Sequence, residues 1–265
     1  MKEITFYCNV EQEIAAIECE VCDAALMFTP SEDEKMSVTF PKAKNVLTGF
    51  GDGCLIVKQG KRRLFCGRQK IAIRVPSHLV PSVKICSRNS EITFGDGIYA
   101  DLQIQAGDGS LTVAGSAFSD LTVAGDNMEI KLTSCTVKES LNVNISKGDV
   151  LCEDVFATRI ECHTDCGNVG MAKVGVKESA LETQSGNISA TLTGAAENYS
   201  TSILAKNGTS NRDSITVDGA ERNLRAYSDG GNITLEFTDG EADEKPEESI
   251  EKAAEEEFLP AEEKE

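Results

Sequence analysis

The sequence predicts an all-β protein, a β-helix-like solenoid built from coils of about 20 residues. Three observations predict this fold: a corner motif that recurs at a nearly fixed spacing, alternating apolar residues on both sides of each corner, and a strand-forming composition. The 265 residues include 22 glycines, only 6 prolines and no tryptophan. Val, Ile and Thr are frequent, which favours strands over helices.

The recurring corners set the predicted period. Clear copies begin at Gly148, Gly167, Gly186 and Gly231, and looser copies lie at 89, 107, 126 and 207. Successive copies follow at a nearly constant interval, which gives a period of about 20 residues. Gly, Asn and Asp are the residue types that tolerate positive φ. The predicted structural corners are Gly107, Gly148, Gly167, Gly186, Asn187, Gly231 and Asn232.

Strands are predicted on both sides of each corner. Leu141, Val143 and Ile145 alternate with polar residues before one corner, and Ile188 and Ala190 do so after another. Such alternation places one face in a core and the other in solvent. A stack of hairpins and a solenoid both fit this pattern. A meander needs no fixed period, so the recurrent corner favours the solenoid, in which each coil buries its apolar face against its neighbours.

The chain divides into three predicted parts. Residues 1–80 are β-rich but irregular and are expected to form the first coils or a cap, with Gly60 at the tip of a hairpin. Residues 81–238 are the regular solenoid. Residues 239–265 contain 13 acidic and 3 basic residues, so this segment carries −10 of the net charge of −18. Such dense like charge predicts a disordered acidic tail.

The charge, the N-terminus and the cysteines limit the function classes. An acidic chain is not expected to bind nucleic acid, which requires a basic face. The N-terminus has no apolar run typical of a signal peptide, and no stretch is long and apolar enough for a transmembrane helix. These features predict a cytoplasmic location. In a reducing compartment the ten cysteines are expected to be thiols, with Cys19, Cys152 and Cys162 packed in the core.

Longer stretches of the sequence resemble a known family. The segments "ALMFTPSEDEKMSVTF", "GDGCLIVKQGKRRL" and "IAIRVPSHLVPSVKICSRNSEITF", followed by Ser-Gly-Asn-Ile repeats, are similar to the bacterial putative-adhesin family of unknown function. The resemblance covers roughly residues 12–238. It implies a β-helical, non-catalytic protein, and it implies surface association and a link to cell-envelope stress, because some relatives belong to such systems. The chain differs from secreted members in its many cysteines and its lack of an export signal.

Catalytic and metal sites receive little support from the sequence. Cys19 and Cys22 could form a zinc site with Cys162, His163 and Cys166, but the second cysteine pair lacks the usual spacing. The corners mix Asn with Asp at the period of the coil, which indicates turn geometry and not a calcium cage. A polysaccharide lyase or hydrolase would need a groove with converged acids and bases. The sequence therefore predicts no enzyme, no metal and no cofactor.

A basic cluster is the strongest candidate binding feature. Seven bases lie close together in the sequence: Lys58, Lys61, Arg62, Arg63, Arg68, Lys70 and Arg74. Such a cluster can bind an anionic lipid or polymer, or it can be a solvated basic face. The predicted function is a non-catalytic binding or scaffold module whose partner is a protein or an anionic envelope component. The alternative is a cytoplasmic regulator that acts by protein contact. The solenoid ends offer a route to self-association.

Overall fold

The computed structural model describes residues 3–8, 14–32, 35–42, 45–59 and 68–238. Within these ranges the chain forms strands joined by turns and one 3-10 helix at Ala196–Asn198. In chain order the strands are β1 (Glu3–Tyr7), β2 (Ala16–Val21), β3 (Ala24–Ser31), β4 (Ser37–Pro41), β5 (Val46–Gly51), β6 (Cys54–Gln59), β7 (Gln69–Pro76), β8 (Ser82–Lys147), β9 (Val150–Cys166), β10 (Val169–Ser185), β11 (Ile188–Thr193), β12 (Tyr199–Ala205), β13 (Arg222–Ser228) and β14 (Ile233–Thr238).

Successive coils stack in parallel and in register. Val150 of β9 pairs with Val169 of β10, and Val169 pairs with Ile188 of β11, so each pairing joins one coil to the next. Strand β8 winds through several coils. A Cβ placed on its Gly125 would lie 3.0 Å from the carbonyl oxygen of Ala106, which belongs to the preceding coil. The predicted β-helix-like solenoid is confirmed.

The core runs along the inside of the stack. Val143 of β8 stacks on Cys162 of β9, which stacks on Leu181 of β10, and all three are at most 2% exposed. The intervening residues point outward because side chains alternate along a strand. Cys19, Cys152 and Cys162 are buried, as predicted. Burial raises the pKa of the Cys162 thiol to about 12, since an apolar interior disfavours the thiolate.

The corner glycines are required for close backbone approach. Of the predicted corner residues only Gly148 has a positive φ, of 116°, so tolerance of positive φ does not explain why the other corners are glycine. A Cβ on Gly167 would lie 1.9 Å from the carbonyl oxygen of Gly148, and a Cβ on Gly186 would lie 1.9 Å from that of Gly167. No side chain fits at this distance, so the coils can stack this closely only where the corner residue is glycine.

A buried hydroxyl three positions before the corner glycine completes the corners at Gly167, Gly186 and Gly231. Thr183 donates to the carbonyl oxygen of Gly167 over 2.9 Å, and Ser228 donates to that of Gly186 over 2.9 Å. Both hydroxyl residues are at most 1% exposed. Each hydroxyl therefore satisfies a polar backbone atom of the preceding coil inside the core, where an unpaired carbonyl would be costly.

A second corner recurs on the other side of each coil. Gly115, Ser134, Asp154 and Lys173 have φ between 50° and 66° and follow one another once per coil. The left-handed conformation is unusual for residues other than glycine, yet three different residue types adopt it here. The fold thus repeats this corner in its backbone although the residue type changes from coil to coil.

The C-terminal coils stack out of sequence order. Ile188 of β11 pairs with Ile233 of β14, more than two coil lengths later in the chain, and β13 lies between β10 and β12. A Cβ on Gly208 would lie 2.1 Å from the carbonyl oxygen of Gly231. The corners therefore stack in the order 186, 231, 208. This order differs from the order along the chain, where 207 precedes 231, because the chain reaches the outermost layer first and then returns.

The N-terminal strands are also threaded out of order. Strand β2 lies between β6 and the start of β8, and β3 lies between β7 and the next part of β8. Strand β4 then pairs antiparallel with β7, and β1 pairs antiparallel with β4, while β5 pairs antiparallel with β6. This part of the chain therefore supplies strands of the first coils, β2, β3, β6 and β7, and three further strands that pair antiparallel with them or with each other. The predicted hairpin tip at Gly60 lies outside the described residues.

Candidate binding surfaces

The outer face of β7 carries two residues of the predicted basic cluster, Lys70 and Arg74. Lys70, Ala72 and Arg74 alternate with the buried residues Ile71 and Ile73 and therefore point outward. Lys70 and Arg74 are exposed and have no ion-pair partner among the described residues. They are therefore available to an anionic ligand.

The other bases of the predicted cluster are distributed differently. Lys58 lies on β6, on another side of the coil, and its Nζ is 3.3 Å from Glu20. Arg68 forms a salt bridge to Glu91 and donates to Asn89 over 3.3 Å. These two cations are therefore partly neutralised. Lys61, Arg62 and Arg63 lie outside the described residues.

Exposed apolar side chains surround the free cations. Ala72 pairs with Met27 of β3, and Arg74 pairs with Ser37 of β4, which in turn pairs with Tyr7 of β1. Met27 is 49% exposed and Tyr7 is 63% exposed. We call the surface formed by Tyr7, Met27, Lys70, Ala72 and Arg74 the β7 face. It combines two unpaired cations with two large side chains that would be buried by a partner.

A column of hydrogen-bonded amides runs along the corners. Asn168 donates from its backbone and its side chain to Asp149, and Asn187 donates in the same way to Asn168. Asn187 Oδ1 then accepts from the backbone of Asn232, and Asn232 Oδ1 accepts from Thr209. Each side-chain oxygen is thus used by the next coil. The mixture of Asn and Asp therefore serves stacking, because an amide can both donate and accept.

The residues of the hypothetical zinc site do not come together. Cys162 points into the core of β9, whereas the neighbouring His163 points outward between Asp165 and Glu182, at 3.3 and 3.4 Å. Cys19 lies on β2 in a layer on the far side of β8. Nowhere in the part of the chain that the structure describes do three His, Cys, Asp or Glu side chains form a group that could hold a metal ion.

A shallow polar depression lies on another side of the stack. The residues that line it are Arg159, Ile160, Glu161, Glu178, Ser179, Ala180, Asn223 and Arg225. The small side chain of Ala180 sits between Glu161 and Arg225 in the stacked register and leaves the space open. Arg159 forms a salt bridge to Glu161. Of the two carboxylates in the depression, Glu161 and Glu178, the first is therefore already paired with a cation.

None of the helical structure in the described ranges is long and apolar enough to cross a membrane.

Comparison with known proteins identifies relatives of this fold. The family described as Toastrack DUF4097 matches residues 14–236. A putative adhesin from Parabacteroides distasonis has a TM-score of 0.55 at 10% sequence identity and covers 88% of this chain and 97% of its own. A putative adhesin from Bacteroides fragilis has a TM-score of 0.52 at 17% identity, with the same coverage. These likenesses show the fold. No curated protein matches the chain.

Proposed function

The chain belongs to the Toastrack DUF4097 family, and on that premise we propose that it is a non-catalytic binding module that contacts an anionic envelope component through the β7 face. The observation that carries the proposal is the pair of unpaired cations, Lys70 and Arg74, on one outward row beside Met27 and Tyr7. The chain as a whole is acidic, with a net charge of −18. A local cationic surface in such a chain selects an anionic partner by charge complementarity.

The scaffold suits this role because it fixes the spacing of the ligand-binding side chains. Strand β7 pairs with β3 on one edge and with β4 on the other, so its backbone is held on both sides. Its inward residues Ile71 and Ile73 are fully buried. Lys70 and Arg74 therefore project from a rigid strand, which lowers the entropy lost when a ligand engages both cations.

Binding to vesicles and to a soluble polymer tests the proposal. We expect the protein to bind vesicles that contain anionic phospholipid, or a soluble polymer of phosphate groups, more tightly than neutral vesicles. Each cation near an anionic surface contributes about 1 kcal/mol, so Lys70→Ala with Arg74→Ala should weaken binding about 30-fold. The matched control is Lys131→Ala with Lys177→Ala, which removes the same charge from exposed positions elsewhere on the stack.

A further variant distinguishes the two anionic partners. Met27→Ser removes an exposed apolar side chain but no charge, so it should weaken adsorption to vesicles and leave binding to the soluble polymer unchanged. The proposal fails if neither anionic partner binds, or if the Lys70 and Arg74 variant binds as tightly as the Lys131 and Lys177 control.

Surface association and a role in envelope stress extend the same proposal. Both rest on the family resemblance, and an anionic envelope component as ligand would be consistent with them. Fractionation of native cells, with a protease added outside intact cells, would show whether the protein is accessible at the surface. Its abundance before and after treatment with a membrane-active antibiotic would test the link to envelope stress.

A further inference from the structure

The two ends of the stack differ in whether the outer edges of their last strands are covered by hydrogen bonds. At the C-terminal end the chain covers its own edges. Asn211 uses its side-chain amide to donate to the carbonyl of Leu235 over 3.1 Å and to accept from the backbone N–H of Leu235 over 2.9 Å. Thr201 and Ile215 exchange two backbone hydrogen bonds, of 2.7 and 3.0 Å. These contacts close edges that would otherwise be open to another chain.

The N-terminal end presents two edge strands instead. Strand β1 pairs only with β4, and β5 pairs only with β6, so no described strand pairs with the other edge of either. Strand β5 contains Gly49 and Gly51, which would have nothing within 4 Å of an added Cβ and which weaken strand pairing. Strand β1 has no glycine, proline or lysine within Glu3–Tyr7. Of the two edges, β1 is therefore the better template for pairing.

The residues of β1 suit pairing with an identical strand. If two copies align antiparallel about Thr5, Thr5 faces Thr5, Ile4 faces Phe6, and Glu3 faces Tyr7. The apolar Ile4 and Phe6 would continue the inner row that packs on the core, where Phe6 already contacts it. The single charge of the strand, on Glu3, meets a tyrosine and not another carboxylate. Cross-strand pairs of these types are favourable, and no like charges are opposed.

We propose that the protein forms a two-fold symmetric dimer by antiparallel pairing of β1 with β1 of a second copy. An isologous interface of this kind uses the same strand twice and closes after two subunits. The sheet order β3, β7, β4, β1 then continues into β1, β4, β7 and β3 of the second copy. The dimer brings two β7 faces onto one continuous sheet, with their β7 strands about 24 Å apart at the usual strand spacing. It goes beyond the proposed function by making the ligand-binding surface bivalent.

Charge exchange at the two-fold axis tests this dimer in the full-length chain. Sedimentation or light scattering should show a concentration-dependent monomer–dimer equilibrium for the unmodified protein. Thr5→Lys opposes two lysines on the axis, and Thr5→Glu opposes two glutamates, so each variant alone should dimerise at least about fivefold more weakly. An equimolar mixture opposes lysine with glutamate and should restore the dimer. Thr5 points outward beside Thr39 of β4, so substitutions at this position should change dimerisation without disturbing the fold of the subunit.

Thr39→Lys is the matched control, because Thr39 is the neighbour of Thr5 on β4 and lies one strand away from the edge. Its dimerisation should equal that of the unmodified protein. A protein that stays monomeric up to about 1 mM would overturn the proposal, as would equal weakening by Thr5→Lys and Thr39→Lys or a mixture that fails to restore the dimer. Dimerisation is measured without ligand, so its failure would leave the anionic-partner proposal standing, and the reverse also holds.

Discussion

The central coils and the two ends of the stack are built from the same kind of strand but differ in how far apart their partners lie in the chain. In the centre, Val150 pairs with Val169 of the very next coil. At the N-terminal end Ala16 pairs with both Cys54 and Ser82, which lie about two and about three coil lengths further along the chain. At the C-terminal end the partners are more than two coil lengths apart. A local repeat is enough to specify the centre, whereas the ends depend on contacts between distant segments.

The two regions also differ in how closely their backbones approach. In the centre, the corner glycines touch the carbonyl oxygen of the neighbouring coil. Gly49 in the N-terminal strand β5 has only open space around its missing Cβ. Glycine is thus a packing requirement in one region and a replaceable residue in the other. Substitutions in the two regions should therefore have opposite effects on stability.

At neutral pH the largest expected effect comes from adding a methyl group at a central corner. Gly186→Ala would place a Cβ 1.9 Å from the carbonyl oxygen of Gly167, so the coils must move apart. We expect the free energy of unfolding to fall by about 3 kcal/mol. Gly49→Ala is the control and should raise it by about 0.5 kcal/mol, since alanine is favoured over glycine in a strand. Urea unfolding measures the free energy of unfolding of both variants. Equal changes would show that the corner glycine is no more constrained by packing than the glycine in β5.

A smaller effect is expected from removing one buried hydroxyl. Thr183→Val keeps the shape of the side chain but removes the 2.9 Å hydrogen bond to the carbonyl of Gly167. The free energy of unfolding should fall by about 1.5 kcal/mol. Thr193→Val is the matched control, because the buried Thr193 Oγ1 has no hydrogen-bond partner among the described residues. If both substitutions cost the same in thermal unfolding, the corner hydrogen bond does not stabilise the stack.

The buried thiol of Cys162 should make stability depend on alkaline pH. Burial raises its pKa from an ordinary value of 9.0 to about 12 in the folded protein. The unfolded chain loses the thiol proton above pH 9 while the folded chain keeps it, so this contribution is fully present below pH 9 and is lost between pH 9 and about 12, by about 1.4 kcal/mol per pH unit. Cys162→Val should remove the contribution of this thiol to the pH dependence of the free energy of unfolding between pH 9 and about 12. Identical alkaline slopes for the two proteins would show that the thiol is not buried.

The smallest expected effect is a gain in stability. Ser179 lies in the core between Ile160 and Leu224, and its Oγ is buried with no hydrogen-bond partner among the described residues. Ser179→Ala removes this unpaired hydroxyl and should raise the free energy of unfolding by about 1 kcal/mol. Ser189→Ala, on the outer face of β11, is the control and should change it by less than about 0.5 kcal/mol. A loss of stability on Ser179→Ala would contradict the assignment of this residue to the core.

Much of the central region could be predicted from the sequence because its signals are local. The motif around Gly167 and Gly186 recurs at a fixed spacing, and the alternation around it assigns inner and outer faces. The hydroxyls of Thr164, Thr183 and Ser228 before the corners at Gly167, Gly186 and Gly231 are also visible in the sequence, but their hydrogen bonds to the preceding coil appear only in the structure. The second corner could not be found, because Ser134, Asp154 and Lys173 share a backbone conformation and no side-chain feature.

The ends and the binding surface could not be predicted for a different reason. In the stack Gly231 lies between Gly186 and Gly208, and no feature of the residues around Gly208 or Gly231 indicates this order. The bases from 58 to 74 form one cluster in sequence, yet Lys58 and Lys70 lie on different sides of the coil. Tyr7 and Met27 were not singled out, because their approach to β7 depends on pairings between segments that are far apart in the chain.

The stacking order of the last coils is the sharpest test of the solenoid, because it differs from the order along the chain. Amide-to-amide contacts measured by nuclear magnetic resonance on deuterated protein report which strands are neighbours. The strand pairing of the structure predicts contacts between the strand at Ile188 and the strand at Ile233, and between Tyr199 and Arg222, with none between Ile188 and Thr209. Contacts between Ile188 and Thr209, in the simple order of the sequence, would contradict it.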